Sequence, residues 1–263
     1  MDVLAPRSLD EALRLKAERP DALPIEGGTD VMVELNFDRR RPAALLNLNE
    51  VPELKGWRRE NGTLRLAAGL TYTQAMRDLR GVLPALAEAS RTVGSPQIRN
   101  RGTIGGNLGT ASPAGDALPP LLIENADVEL VATHGTRRVA LREFLVGPKR
   151  NALADDELIA AVYVEPSSAP QTFMKVGPRN AMVIAVCSLA LVVDRERDEI
   201  RASYGSAGPV TGLVVGPLSD VDGFPEQVAE AASPIDDVRG TAAYRRHALR
   251  VLTRRAIERC LAA

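Results

Sequence analysis

Polar Ser8 and Glu11 frame an apolar series, Leu9, Ala12 and Leu13, at helical spacing, so the chain opens on a capped helix that Pro20 closes. Leu23-Pro24-Ile25 predicts a short strand running into a glycine turn, Glu26-Gly27-Gly28-Thr29-Asp30, and Val31 to Phe37 has helix-compatible spacing. Ala44 to Leu48 and Thr63 to Ala68 read as short strands, the first of them buried. Thr71-Tyr72-Thr73-Gln74 is a second capping box that starts a helix through Leu79, and the alanine- and leucine-rich stretch Pro84 to Thr92 predicts another. From Gly94 to Pro120 periodicity fades among glycines and prolines, and the stretch reads as a long functional loop.

Alternation returns at Asp127 to Ala132; His134-Gly135 is a hairpin turn signal and Thr136 to Leu141 the return strand. Leu158 to Val164 predicts a strand ended by Pro166, and Ser167 to Pro170 a linker. Beyond it, Phe173 to Val176, Met182 to Val193 and Ile200 to Gly205 predict an antiparallel sheet. The last element is an amphipathic helix over Thr241 to Leu261, with Tyr244, Ala248, Val251, Leu252 and Ile257 on its apolar stripe and Arg245, Arg246, Arg250, Arg254 and Arg255 on its polar face.

Composition narrows what such a chain does. Its 263 residues, 45% hydrophobic and 25% charged, suit one large or two compact domains. A net charge of −1 implies no basic face for nucleic acid, and 3% aromatics argue against base-stacking platforms. Two cysteines, Cys187 and Cys260, cannot build a four-thiolate cluster. No apolar run reaches the length of a membrane span, and the first residues do not form a secretory leader; a cytoplasmic protein with reduced thiols is expected.

The chemistry concentrates in two glycine loops, Glu26 to Asp30 and Thr103-Ile104-Gly105-Gly106-Asn107, the second running on to Asp116. Adjacent glycines let backbone N–H groups converge on an anion, and Thr29, Thr103, Asn107 and Thr110 add neutral donors there. Neither loop matches a Rossmann or P-loop signature. Two readings stay open, tight turns alone or a diphosphate cradle built without lysine. Asp116 suits either a cap or an acceptor for ribityl or ribose hydroxyls; Lys175 suits either a cofactor edge or an acidic neighbour. His134 and His247 read as solvated and Cys187 as core. No catalytic acid, base or metal-ligand cluster stands out.

The motif Pro24-Ile25-Glu26-Gly27-Gly28-Thr29-Asp30-Val31 resembles the first flavin-binding motif of the FAD subunits of molybdenum hydroxylases, the xanthine dehydrogenase and carbon monoxide dehydrogenase family. Arg99 to Asn107, followed by Ala111-Ser112-Pro113-Ala114-Gly115-Asp116, resembles the second motif, and Arg239 to Arg246 the start of the terminal helix. The resemblance implies an α+β fold: a two-part α/β FAD-binding domain of the vanillyl-alcohol-oxidase type over residues 1–168, divided near 53, then a smaller α+β domain with an antiparallel sheet over 169–263. It implies FAD contacts at Gly27, Gly28, Thr29, Asp30, Val31, Thr103, Gly106, Asn107, Thr110 and Asp116, with Leu158, Ile159 and Lys175 near the flavin ring.

It further implies an oxidoreductase subunit that relays electrons. In a heterotrimer, or a dimer of heterotrimers, a large subunit carries molybdopterin and a small subunit carries 2Fe–2S clusters; FAD here passes electrons to NAD or another acceptor. A xanthine dehydrogenase-like role is the first expectation. The alternatives are a carbon monoxide dehydrogenase-like or other N-heterocycle or aldehyde dehydrogenase subunit, a stand-alone flavin oxidoreductase, and a nucleotide-binding scaffold. Two departures stand out. Glu26 replaces a common alanine, so its side chain is expected to face outward, away from the diphosphate. Asn180-Ala181-Met182 stands where an acidic residue usually follows.

Overall fold

The computed structural model describes residues 1–179 and 183–263; Asn180, Ala181 and Met182, which carry one predicted departure and the start of one predicted strand, lie outside the described residues. The chain runs β1 (Asp2–Leu4), α1 (Leu9–Glu18), β2 (Leu23–Ile25), α2 (Val31–Asn36) and β3 (Ala44–Asn47), then β4 (Trp57–Glu60), β5 (Thr63–Ala67), α3 (Tyr72–Asp78), α4 (Pro84–Thr92), α5 (Pro96–Arg101), α6 (Ile104–Thr110) and α7 (Leu118–Ile123). It continues with β6 (Asp127–Ala132), β7 (Gly135–Ala140), α8 (Leu141–Phe144), β8 (Leu145–Gly147), β9 (Arg150–Asn151) and β10 (Leu158–Val164). The remainder is β11 (Gln171–Val176), β12 (Cys187–Asp194), β13 (Glu199–Gly205), β14 (Gly212–Pro217), α9 (Phe224–Ala231) and α10 (Ala242–Leu261).

Three larger sheets, beside the two-stranded β8–β9 pair, organise these elements. The first is parallel, in the order β1-β3-β2, with Asp2 opposite Ala44 and Leu23 opposite Leu45. The second is antiparallel, β4-β5-β10-β6-β7, and buries Leu64, Leu66, Val128, Leu130 and Val162 against α3, α6, α7 and α8. Its register shifts between Ile159 and Ala161, an irregularity of the kind that re-aims side chains beside sites. The third is antiparallel in sequence order, β11 to β14.

β12 is buried along its whole length because it is covered on both faces. Cys187, Leu189, Leu191 and Val193 face α9 and α10, whereas Ala190 and Val192 join Ala85, Ala89 and Ile123 of α4 and α7 in a second cluster. That second cluster packs the third sheet onto α4 and α7.

The structure departs from the pattern-based expectation in several places. The stretch 94–120 is no continuous loop but holds α5, α6 and α7. Arg245 is not on a solvated face: it is buried and donates to the carbonyls of Val186 (2.8 Å) and Ser206 (2.5 Å), with Asp237 at 2.5 Å. Tyr244, assigned to the apolar stripe, is exposed.

Both thiols lie in the core, and desolvation pushes Cys187 and Cys260 up to about 12. Since the thiolate is the reactive form, the native chain should take up no thiol-specific label at neutral pH and both cysteines should label after denaturation. Rapid labelling of either in the folded state would contradict this packing.

Candidate functional site

Two segments distant in the chain form the walls of one crevice of about 440 Å³. One wall is the turn after β2, Gly27 to Asp30, with Val31 opening α2; the other is Thr103, Gly106, Asn107 and Thr110 of α6 and its cap. Leu158 and Ile159 of β10 line it at the register shift. All these residues were expected at a cofactor, and the fold brings them together.

Glycine is required where the walls meet. Gly28 turns the chain at φ +73°, and a Cβ at Gly27 would overlap the carbonyl oxygen of Arg101. That tight seat lets the first loop lie directly on the segment preceding the second. Hydrogen bonds hold it there: Thr110 Oγ1 donates to Asp30 Oδ2 at 2.8 Å across the crevice, and Arg101 donates to the Glu26 carbonyl at 3.2 Å and to Asn49 Oδ1 at 2.9 Å. Thr103 caps α6 by accepting from the Gly106 N–H at 3.0 Å, and Asn107 Oδ1 accepts from the Ala117 N–H at 3.3 Å.

Asp116 and Lys175 do not line the crevice. They form an ion pair at 2.6 Å between side chains only 8% and 6% exposed, joining the second loop to β11, and Lys175 also donates to the Thr92 carbonyl at 3.2 Å. Of the two readings left open for Lys175, the acidic neighbour is the one the geometry realises. Burial pushes the Asp116 carboxyl up while the lysine charge opposes the shift, and Asp116 Oδ1 is buried with no partner.

Glu26 corrects a second expectation. Its side chain does not face outward; it is 9% exposed, packs where Gly69 leaves room, and pairs with Lys55. Burial raises its carboxyl and Lys55 opposes the shift. The pair neutralises the charge beside the first loop, which answers the electrostatic objection to a glutamate there.

Tyr72 also lines the crevice and is 4% exposed. The sequence marked it only as part of a capping box; its place beside the second loop follows from the Thr71–Thr103 bridge, which no local pattern signals. His134 is exposed beside Asp156, and among the described residues no group of three His, Cys, Asp or Glu could hold a metal.

The arrangement fits a flavin dinucleotide. Its size is in the range of small-ligand sites, and its apposed loops offer neutral donors suited to a diphosphate. Among the described residues no helix is long and apolar enough to cross a membrane.

Comparison with known proteins agrees. The xanthine dehydrogenase FAD-binding subunit of Escherichia coli O157:H7 is 29% identical over 97% of this chain and 94% of its own. The nicotinate dehydrogenase FAD-subunit of Eubacterium barkeri is 36% identical over 73% of this chain and 68% of its own. A chain of the reconstituted CO dehydrogenase from Oligotropha carboxidovorans superposes with a TM-score of 0.93 at 25% identity, over 100% of this chain and 98% of that one. A family model described as the FAD binding domain in molybdopterin dehydrogenase matches residues 1–167. The chain therefore belongs to that family, as an FAD-binding oxidoreductase subunit of the molybdenum hydroxylases.

Proposed function

We propose that this chain is the electron-transfer flavoprotein subunit of a molybdopterin-dependent hydroxylase, working beside a large molybdopterin subunit and a small 2Fe–2S subunit. The observation that carries the reading is the meeting of both glycine loops in one crevice with Thr110 tied to Asp30 across it. Bound FAD supplies the exchange between single-electron donors and a two-electron acceptor, NAD or another.

The chain's own residues position that group. Gly27, Gly28, Thr29 and Val31 present one wall to the diphosphate, Thr103, Gly106, Asn107 and Thr110 present the other, and Leu158 and Ile159 supply apolar contact. The Asp116–Lys175 pair fixes the third sheet against the second loop. We place the boundary between FAD-binding part and C-terminal part at residues 168/169, between β10 and β11, the division within the first part near residue 53, and the protein in the cytoplasm, in keeping with its buried free thiols.

A xanthine dehydrogenase-like assembly is the reading we favour, and a carbon monoxide dehydrogenase-like one draws equal support from the fold. Purification of the chain from its native source should yield the visible absorption of bound flavin together with two further polypeptides, one carrying molybdenum and one iron. The isolated chain should not hydroxylate purines. A colourless chain in the purified assembly, or hydroxylation by the chain alone, would overturn the proposal.

A further inference from the structure

We infer that the Tyr72 hydroxyl is a cofactor-binding group, donating a hydrogen bond to a diphosphate oxygen of the dinucleotide held between the two glycine loops. The inference rests on the reading of the crevice as an FAD site. Tyr72 is the first residue of α3, and the capping box of Thr71 and Gln74 fixes its backbone. Its N–H donates to the Gly102 carbonyl at 3.1 Å, and Thr71 bridges to Thr103, so the tyrosine moves with the second loop. The ring lies against Gly102, where an added Cβ would come within 3.2 Å of the ring carbon Cδ2.

The hydroxyl is what the packing leaves unexplained. The Tyr72 side chain lines the crevice and makes no hydrogen bond within the described residues, and its hydroxyl is not among the fully buried orphaned atoms, so it keeps access to the crevice. Several side-chain donors are engaged within the chain: Thr110 Oγ1 donates to Asp30, Arg101 holds the first loop, Lys55 and Lys175 are paired with Glu26 and Asp116, and Arg40 and Lys149, which also line the crevice, lie 3.7 Å from Glu34. Burial and the charges of Asp116 and Asp30 keep the phenol protonated, and therefore a donor, at any physiological pH. A neutral donor on the crevice lining adds to the loop donors where the lining cations Arg40 and Lys149 already face Glu34.

The test is Tyr72→Phe in the full chain, with FAD and riboflavin titrated separately by flavin fluorescence and the melting temperature of the flavin-free protein recorded. The expected result is about a tenfold rise in the Kd for FAD, the loss of roughly one hydrogen bond to a charged acceptor. The Kd for riboflavin, which lacks the diphosphate, should not change, and the flavin-free melting temperature should hold because the hydroxyl makes no hydrogen bond within the described residues. An unchanged Kd for FAD, an equal loss for riboflavin, or a lower melting temperature would each overturn the inference while leaving FAD binding itself intact. A wild-type chain that binds no FAD would overturn the site reading and the inference with it.

Discussion

Lys175→Met should lower the unfolding free energy of the chain by about 3–5 kcal/mol, the loss typical of stripping one partner from a buried ion pair. The two side chains are 2.6 Å apart, and Asp116 Oδ1 already lacks a partner, so removal of the ammonium leaves the carboxylate with little to replace it. The pair also spans the junction between the second loop and β11, so the loss acts where the third sheet docks. Without its lysine, Asp116 keeps only the burial that raises its carboxyl above the unfolded value of about 3.9. A folded state that holds its proton more tightly than the unfolded one is favoured at low pH. The deficit of the variant is therefore fully present above the raised folded pKa and shrinks as pH falls toward the unfolded one. Replacing both residues, Asp116→Leu with Lys175→Met, should recover most of the stability, because an apolar pair strands no charge. Denaturant titrations of the three variants across pH check this. A single variant within about 0.5 kcal/mol of wild type, or a deficit that grows on acidification, would show that the pair is not structural.

Legibility in the sequence followed the range of the interaction involved. Caps are local, so the boxes at Ser8 and Thr71 showed where α1 and α3 begin, and the structure has Ser8 accepting from the Glu11 N–H and Thr71 from the Gln74 N–H. Alternation at Asp127 to Ala132 is equally local and gave the β6–β7 hairpin. α5, α6 and α7 escaped because 6 or 7 residues are too few to show a period, and glycine-rich α6 has poor intrinsic propensity. Its helix is held from outside, Gly105 donating to the Ala68 carbonyl at 2.7 Å. The caps of α5 and α6, Ser95 and Thr103, were the signal available. Arg245 misled for the same reason in reverse: its partners Val186 and Ser206 are distant in the chain, so a charged residue in a row of arginines read as surface. The glycine motifs were visible as motifs, but the closeness of Gly27 to Arg101, which makes one crevice of two loops, exists only in three dimensions.

That closeness separates two kinds of glycine, and Gly106→Leu should reveal the difference most sharply. Gly106 is exposed toward the crevice, and a Cβ there would meet only Thr103 Oγ1, at 3.0 Å, a hydroxyl that can give by a few tenths of an ångström. Leucine is also a better helix former than glycine by roughly 0.5–1 kcal/mol, so α6 keeps its stability and the chain still folds. The side chain instead fills the space between the loops, and FAD affinity should fall at least about a thousandfold, roughly 4 kcal/mol. Gly27→Val gives the contrast, since its Cβ overlaps the Arg101 carbonyl, a backbone atom that cannot yield, and both packing and flavin retention should fail together. Circular dichroism melts beside flavin titrations distinguish the cases. A Gly106→Leu chain that retains wild-type flavin affinity would remove the second loop from the cofactor site. A Gly106→Leu chain that does not fold would show that this glycine, too, is held by packing and not by the ligand.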